Sequence, residues 1–269
     1  MTQGLIHLAA RLAAGGSVYA EEEAALLLAE AQSPQQLEHM VAARLLGQPL
    51  EYVLGWACFA GIRVAVEPGV FVPRVRTELL VREAVARVPP HRAIIVDMCC
   101  GSGAVGAAVL AHLPAGRRAE LHSADSDPAA VRCARHNLPT DATCYLGDLY
   151  EPLPASLAGR VDLIVANAPY VPSRAVAHLP REARLYEAPA ALDGGPDGLD
   201  VLRRVAAGAP ARLAAGGHVL VEASPPQAPA VAAVFESHGL SAEVILDSDR
   251  DAAAMVGTLR LRVSAAAAG

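Results

Sequence analysis

The fold of this chain is decided by the stretch Val161-Asp162-Leu163-Ile164-Val165-Ala166-Asn167-Ala168-Pro169-Tyr170. Its first part is an apolar run of strand length, which predicts a strand buried on both faces of a parallel sheet. Open α/β sheets bind ligands just beyond the carboxyl ends of such strands. That position here holds an amide side chain, a proline and an aromatic ring, so it is the first candidate for a functional site.

The tetrapeptide Asn167-Ala168-Pro169-Tyr170 resembles the Asn-Pro-Pro-Tyr motif of methyltransferases that act on planar amide or amino nitrogens. Such a nitrogen is a poor nucleophile because its lone pair is delocalised, so it must be held in one orientation. The side-chain oxygen of Asn167 and the carbonyl of Ala168 can each accept a hydrogen bond from an NH2 group. Pro169 fixes the backbone, and Tyr170 can pack on the substrate. Taken alone, the tetrapeptide also fits an ordinary turn that contains proline.

Length and composition limit the class of protein. A chain of 269 residues allows one large domain, or one domain with a smaller one. The formal net charge of −6 argues against a broad nucleic-acid surface, and no apolar run approaches the ~20 residues of a membrane span. No signal peptide is expected, and the five cysteines contain no C-x-x-C pair, which predicts reduced thiols in the cytoplasm. The histidines lack ligand spacing, so no metal site is expected.

Three segments are predicted along the chain: a helical substrate-docking domain at 1–50, a hairpin or linker at 51–75, and a larger α/β domain at 76–269. Ser33-Pro34 is typical of a helix start, and the alternation around Gly61 favours a hairpin. Thr77 or a neighbour can cap the helix that begins near Glu78. The N-terminal helices could equally serve only to stabilise the rest of the chain.

A glycine-rich turn follows the first predicted strand of the main sheet, Ala93 to Met98. The turn, Cys99-Cys100-Gly101-Ser102-Gly103, lets the backbone approach a ligand closely at the N-terminus of the next helix. Asp125 ends the following strand, where an acidic residue suits the ribose diol of a nucleotide-like ligand. The glycine pattern alone is weak, and with Asp125 it serves either a nicotinamide cofactor or S-adenosylmethionine.

The later part of the chain predicts further strands and helices. A strand at 143–146 leads to Gly147-Asp148-Leu149, where Asp148 either receives the exocyclic amine of an adenine or is an ordinary turn residue. Residues 171–200 form a long polar connection, and connections of that length are usually functional. The remaining predictions are a helix over 199–214 ending at Gly216-Gly217, a strand at 218–222, a helix at 231–238, closing strands at 242–246 and 255–263, and a frayed tail at 265–269.

With these motifs placed, the chain resembles the protein-(glutamine-N5) methyltransferases of the PrmC/HemK type, which modify peptide chain release factors. The resemblance covers nearly the whole chain. It rests on Phe71-Val72-Pro73-Arg74, Thr77-Glu78, the turn at 99–103, Asp125, Gly147-Asp148-Leu149, Asn167 to Tyr170, Tyr186-Glu187-Ala188-Pro189 and Leu213-Ala214-Ala215-Gly216-Gly217. It implies an α/β fold with a seven-stranded, Rossmann-like class I methyltransferase sheet whose last strand is antiparallel, a small N-terminal helical domain and a connecting β-hairpin.

The same resemblance implies a donor, an acceptor and a set of site residues. The donor is S-adenosylmethionine, and the acceptor is the Gly-Gly-Gln glutamine of a release factor or a glutamine of another protein. The expected catalytic residues are Asn167, Pro169 and Tyr170. The expected donor-binding residues are Cys99, Cys100, Gly101, Ser102, Gly103, Asp125, Asp148, Leu149 and Asn167. The expected acceptor-binding residues are Phe71, Pro73, Arg74, Asn167, Ala168, Pro169 and Tyr170.

Three positions depart from the family pattern. Cys99 stands where the turn usually begins with glycine, Ala168 replaces a proline, and Val75-Arg76 replaces a proline and an acidic residue. Other functions are therefore considered. An adenine-N6 nucleic-acid methyltransferase also takes a planar NH2, although the acidic charge balance disfavours it. A protein that binds the donor without methyl transfer is another candidate. A nicotinamide dehydrogenase explains the glycines but gives no role to Asn167.

Overall fold

Four helices form the N-terminal part of the chain in the computed structural model, which describes residues 3–260. They are α1 (Gln3–Ala14), α2 (Ala20–Glu30), α3 (Pro34–Leu45) and α4 (Leu50–Leu54). The start of α3 is confirmed, since the Ser33 hydroxyl accepts a hydrogen bond from the backbone N–H of Gln36. The sequence does not predict α4, because five residues are too few to show a helical period. The helices share a small core made by Leu8, Leu12, Leu27, Met40 and Val41.

A hairpin connects these helices to the rest of the chain, as the alternation around Gly61 predicts. Its strands are β1 (Trp56–Phe59) and β2 (Ile62–Ala65), which pair antiparallel. The Asn137 side chain holds the end of β2, because its amide accepts from the N–H and donates to the carbonyl of Ala65, both at 2.8 Å. The domain boundaries at residues 50 and 75 remain predictions.

A seven-stranded sheet lies at the centre of the remaining chain. Its strands are β3 (Ala93–Met98), β4 (Ala119–Asp125), β5 (Thr143–Leu146), β6 (Val161–Ala166), β7 (Leu213–Ala223), β8 (Leu240–Asp247) and β9 (Ala252–Leu259). The spatial order is β5-β4-β3-β6-β7-β9-β8, in which the first five strands are parallel and β9 is antiparallel to both neighbours. The predicted sheet with an antiparallel last strand is therefore confirmed.

Helices cover both faces of this sheet. The helices after the hairpin are α5 (Glu78–Arg87), α6 (Ala104–Ala111), α7 (Pro128–Asn137), α8 (Ser173–Val176), α9 (Arg181–Tyr186), α10 (Asp200–Arg212) and α11 (Ala228–Ser237). Those that pack on the sheet are α5, α6, α7, α10 and α11. Side chains alternate along the central strands. Val96 and Ile164 pack with α10 and α11, whereas Ile95 and Leu163 pack with α5, α6 and α7. Because β3 and β6 are buried on both faces, their carboxyl ends are held rigidly.

Several predicted element ends are wrong. The helix α10 ends at Arg212 and β7 begins at Leu213, so the glycines at 216–217 lie inside a strand. A Cβ on Gly217 would lie 2.9 Å from the carbonyl oxygens of Ala214 and Val161, and the pairing of β6 with β7 shifts register there. The glycines therefore allow an irregular strand and do not end a helix. The side chain of Thr77 does not cap α5.

The last predicted strand is confirmed only in part. β9 ends at Leu259, and residues 261–263 and the predicted tail at 265–269 lie outside the described residues. Within residues 3–260, none of the helices has the length and hydropathy needed to cross a membrane.

Candidate active site

A cavity of about 490 Å³, called cavity I here, lies at the carboxyl ends of β3, β4 and β6. Parallel strands bring their carboxyl ends to one edge of a sheet, so turns far apart in sequence meet there. The residues expected to bind the donor and found in its wall are Cys99, Cys100, Gly101, Ser102, Asp125, Asp148, Leu149 and Asn167. Gly103 is not in the wall.

The turn after β3 has a left-handed backbone. Cys99 has φ of 56° and Gly101 has φ of 53°. The backbone N–H of Gly101 donates a hydrogen bond of 2.8 Å to Oδ2 of Asp125, which also accepts at Oδ1 from the N–H of Asp127. Asp125 therefore fixes the turn after β3 as well as lining cavity I, and burial raises its pKa.

Gly103 has a packing role at the start of α6. It has φ of 76°, and a Cβ there would lie 3.1 Å from the Cβ of Ala134 and 3.2 Å from Cγ of Leu138. Glycine at this position therefore lets α6 and α7 approach closely, away from the cavity wall. By contrast, a Cβ on Gly101 would meet only the Cβ of Phe71, at 4.0 Å, so the turn leaves open space there. That space fits a ligand that contacts the backbone of the turn.

The cavity wall carries acidic groups and neutral thiols. Asp148 is paired with Arg204 of α10, whose Nη2 lies 2.5 Å from Oδ2 of the carboxylate. Leu149 follows with φ of 46°, a second non-glycine residue in the left-handed region. Burial raises the pKa of the thiols of Cys99 and Cys100, so neither is a thiolate nucleophile at neutral pH. Within residues 3–260 there is no cluster of three or more side chains suited to a metal ion.

A second cavity of about 480 Å³, called cavity II, adjoins the first. Four residues line both cavities: Phe71, Asn167, Pro169 and Ala191. The expected acceptor residues in the wall of cavity II are Phe71, Arg74, Asn167, Ala168, Pro169 and Tyr170, whereas Pro73 lines cavity I. Two ligands that occupied the two cavities would thus meet beside Asn167 and Pro169.

The amide of Asn167 is oriented by Thr77. Its Nδ2 donates a long hydrogen bond of 3.5 Å to Oγ1 of Thr77, a buried residue just before α5. With the nitrogen turned to Thr77, the side-chain oxygen of Asn167 is left to accept from a ligand. Within the described part of the chain, no donor is hydrogen-bonded to the carbonyl oxygen of Ala168. These two oxygens are the acceptors that a planar NH2 group needs.

The backbone of the tetrapeptide is held by the long connection at 171–200 and by Gln227, which follows β7. The N–H of Gly194 donates to the carbonyl of Val171 at 2.8 Å, and the Gln227 side chain donates to the carbonyl of Tyr170 at 3.0 Å. A Cβ on Gly194 would lie 2.6 Å from the carbonyl oxygen of Pro169. The segment beside Ala168 is thus fixed by contacts with this connection and with Gln227, although Ala168 itself lacks the rigidity of proline.

The comparisons with known proteins agree with this geometry. The family model named Methyltransferase small domain matches residues 61–198. The release factor glutamine methyltransferase of Geobacter sulfurreducens is 39% identical over 203 residues, which cover 74% of this chain and 69% of that protein. The chain belongs to the release factor glutamine methyltransferase family.

This family member is also similar to one methyltransferase with a different named substrate and to one methyltransferase of known structure. The 4-amino-L-phenylalanine/4-methylamino-L-phenylalanine methyltransferase of Streptomyces pristinaespiralis is 35% identical over 213 residues, which cover 77% of this chain and 71% of that protein. A crystal structure of a methyltransferase from Pyrococcus furiosus aligns with a TM-score of 0.55 and 13% identity, covering 75% of this chain and 90% of that one. The second likeness shows the fold alone. The expected methyltransferase fold is confirmed.

Several charged contacts of this methyltransferase are not indicated by the sequence motifs. Glu222, near the end of β7, accepts a hydrogen bond of 2.7 Å from the hydroxyl of Tyr170. Arg76 lies 3.4 Å from the same carboxylate oxygen. Glu187 is also buried and accepts at 2.5 Å from Nη2 of Arg74. Burial raises the pKa of Glu187 even with this arginine beside it. Glu187 lies in the motif at 186–189 and Arg76 at a position that departs from the family pattern, whereas Glu222 has no local signal.

Asp97 is a further buried acid, and it lies outside the motifs that carry the family resemblance. Its Oδ2 accepts a hydrogen bond of 2.9 Å from the N–H of Gly106, and burial raises its pKa to about 8. The residue lies one position before the end of β3, so it connects the strand to the start of α6. A carboxylate two residues before a glycine-rich turn is a signal that the sequence does contain.

Proposed function

We propose that this protein transfers a methyl group from S-adenosylmethionine to the side-chain N5 of a protein glutamine, the Gly-Gly-Gln glutamine of a peptide chain release factor. The observation that carries the proposal is the junction of the two cavities at Asn167 and Pro169. A donor in cavity I and an amide in cavity II would meet at the two oxygen acceptors, which is the arrangement that this reaction requires.

The residues of cavity I suit the proposed donor. Asp125 would bind the ribose diol, and Asp148 with Leu149 would bind the adenine. The turn at 99–102 would hold the methionine part against its backbone, where Gly101 leaves space. When bound, S-adenosylmethionine supplies an electrophilic methyl group and leaves as S-adenosylhomocysteine.

The residues of cavity II would prepare the acceptor nitrogen. The side-chain oxygen of Asn167 and the carbonyl of Ala168 would accept hydrogen bonds from the two N–H groups of the amide. These two bonds fix the amide plane, and the nitrogen lone pair is perpendicular to that plane. Pro169 and Tyr170 form the wall beside it. Because the methylated amide is strongly acidic until it loses a proton, water can take that proton and no side-chain base is needed. Catalysis is then orientation and electrostatic stabilisation.

A release factor as acceptor implies that the enzyme works in the cytoplasm and without a nucleic-acid partner. The test is the transfer of labelled methyl from S-adenosylmethionine to a purified release factor. The matched control is the same factor with its Gly-Gly-Gln glutamine changed to alanine. Label on the first protein alone supports the proposal. Donor binding with no label on either protein would overturn it, in favour of another acceptor or of a protein that binds the donor without transfer.

The enzyme itself offers a second control. Asn167→Ala removes one of the two proposed acceptors, so the rate of methyl transfer should fall about 100-fold or more, as with other lost oriented donors or acceptors. Binding of S-adenosylhomocysteine, measured by calorimetry, should change much less. An unchanged transfer rate in Asn167→Ala would show that the amide has no such role.

A second candidate acceptor is the aromatic amine of a free amino acid. The Streptomyces relative is named for that chemistry, and an arylamine presents the same planar NH2 group. Cavity II combines apolar residues with Arg74, Arg76 and Glu182, which suits a ring that carries charged groups. Offering 4-amino-L-phenylalanine in the same assay distinguishes the two acceptors.

A further inference from the structure

The charged side chains that line cavity II differ in how closely each is paired with a side chain of opposite charge. Three lie in its wall: Arg74, Arg76 and Glu182. Arg74 is paired with the buried Glu187 at 2.5 Å. Glu182 is paired at 2.5 Å with Arg44 of α3, which also contacts Glu23 at 2.8 Å. Both side chains thus have a close partner of opposite charge inside the protein.

Arg76 is different. Its nearest carboxylate oxygen belongs to Glu222 and lies 3.4 Å from Nε, and within residues 3–260 the guanidinium donates no hydrogen bond. The side chain is 46% exposed, whereas that of Glu222 is 4% exposed. Glu222 does not line cavity II, so the charge presented there at this point is that of Arg76.

Arg76 lies close to the proposed position of the acceptor nitrogen. The guanidinium carbon lies 5.8 Å from the centre of the Tyr170 ring, at the end of the tetrapeptide. The next residue along the chain is Thr77, which contacts the amide of Asn167. Arg76 therefore lies between two residues that define the place of the nitrogen. A guanidinium there can form two parallel hydrogen bonds to a carboxylate.

We propose that Arg76 binds a carboxylate of the acceptor, so that the site prefers a planar nitrogen with a carboxylate close to it in the same molecule. The carboxylate comes either from an acidic residue next to the glutamine in a protein or from the α-carboxylate of a free amino acid. The inference rests on the proposed function only in taking Asn167 to bind the nitrogen that is methylated.

The test compares acceptors that differ only in the carboxylate. One pair is N-acetyl-L-glutamine and its neutral α-N-methylamide, which has no second NH2 group. The other is a peptide that keeps Gly-Gly-Gln intact, with aspartate or asparagine placed in turn at the position before the two glycines and at each of the three positions after the glutamine. The wild-type enzyme should use the carboxylate form with a kcat/KM about fivefold higher at low salt, the size of a partly exposed ion pair, and less at high salt.

Three variants assign the preference to Arg76. Arg76→Gln should remove it, and Arg76→Glu should favour the neutral acceptor. Arg174→Gln makes the same change on an exposed arginine of α8 that lines neither cavity, so the preference should persist. A role of Arg76 confined to neutralising Glu222 would lower stability in Arg76→Gln but leave the ratio of the two acceptors unchanged. That unchanged ratio, or equal use of both acceptors by the wild type, would overturn the proposal.

Binding measurements separate this inference from the proposed function. If the wild type methylates no glutamine acceptor, the proposed function fails. Calorimetry of the same peptides, with S-adenosylhomocysteine present, still compares the affinities for the aspartate and asparagine forms. Tighter binding of the aspartate form that disappears in Arg76→Gln supports the inference, and equal affinities contradict it. A preference for only one of the two acceptor pairs identifies the source of the carboxylate.

Discussion

The hydroxyl of Tyr170 donates a hydrogen bond of 2.7 Å to Oε1 of Glu222, joining the loop after β6 to the end of β7. Glu222 is buried, and its other oxygen, Oε2, has no hydrogen-bond partner within residues 3–260. The pKa of Tyr170 is raised by burial and by Glu222, so the phenol keeps its proton in neutral and mildly alkaline solution. This contact holds the Tyr170 ring at the wall of cavity II.

Tyr170→Phe should lower the free energy of unfolding by about 1–3 kcal/mol, because the buried Glu222 carboxylate loses its closest donor. Urea unfolding measures the loss. Tyr19→Phe is the matched control, since that side chain is 68% exposed, and it should leave the unfolding midpoint unchanged. Equal midpoints for Tyr170→Phe and the wild type would show that the bond contributes nothing.

Gly194→Ala should impair methyl transfer while donor binding persists. The added Cβ would lie 2.6 Å from the carbonyl oxygens of Pro169 and Gly198, so the backbone beside the acceptor must move. A displacement of this kind costs on the order of 100-fold in rate, since oriented groups tolerate little error. Gly4→Ala is the control, because a Cβ there meets nothing within 4 Å. A normal rate in Gly194→Ala would mean that the connection does not fix the acceptor backbone.

At position 99, glycine should give a more stable protein than alanine, the reverse of what is usual inside helices. With φ of 56°, an L residue at 99 is strained by about 1 kcal/mol, which glycine relieves. Cys99→Gly should therefore be more stable than Cys99→Ala by about 1 kcal/mol, or roughly 2–4 °C in Tm. Ala107→Gly, in the middle of α6, provides the opposite expectation, a loss of about 1 kcal/mol. Thermal unfolding of the variants decides, and equal stability of the two Cys99 variants would refute the strain.

These residues show what the sequence could and could not predict. β5 is found at the predicted residues, Thr143 to Leu146, because its ends are marked by local signals. The position of Asn167 follows from a general rule, since β6 ends at Ala166 and ligands lie beyond such ends. Contacts between distant segments have no local pattern. Nothing near Glu222 in sequence indicates that it meets Tyr170, 52 residues away.

The prediction that a helix ends at the glycines 216–217 is wrong for a different reason. Glycine ends helices and also allows bulges in strands, so its local signal is ambiguous. The structure resolves the ambiguity through Val161, whose carbonyl oxygen would lie 2.9 Å from a Cβ on Gly217. The charges of cavity II were equally hidden, because Arg44 and Glu182 are paired across 138 residues of sequence. Sequence therefore predicted the fold and the chemical character of the wall better than its electrostatics.

Asp97 should make the stability of this enzyme fall as the pH rises. Burial raises its pKa to about 8, so the folded protein keeps the proton up to that pH, whereas the unfolded chain releases it near the ordinary value of about 4. Between these values the unfolded state binds fewer protons, and stability declines by up to about 1.4 kcal/mol per pH unit. Above pH 8 both states are ionised and the decline ends.

Asp97→Asn isolates this effect, because its side-chain oxygen can still accept the hydrogen bond from the N–H of Gly106 but cannot titrate. Urea unfolding at pH 5, 6, 7 and 8 should show a steeper loss of stability in the wild type than in Asp97→Asn. Asp141→Asn makes the same change at an exposed position and should keep the wild-type slope. If Asp97→Asn also kept that slope, Asp97 would have to be ionised throughout this range, and its carboxylate would need a stabilising partner other than Gly106.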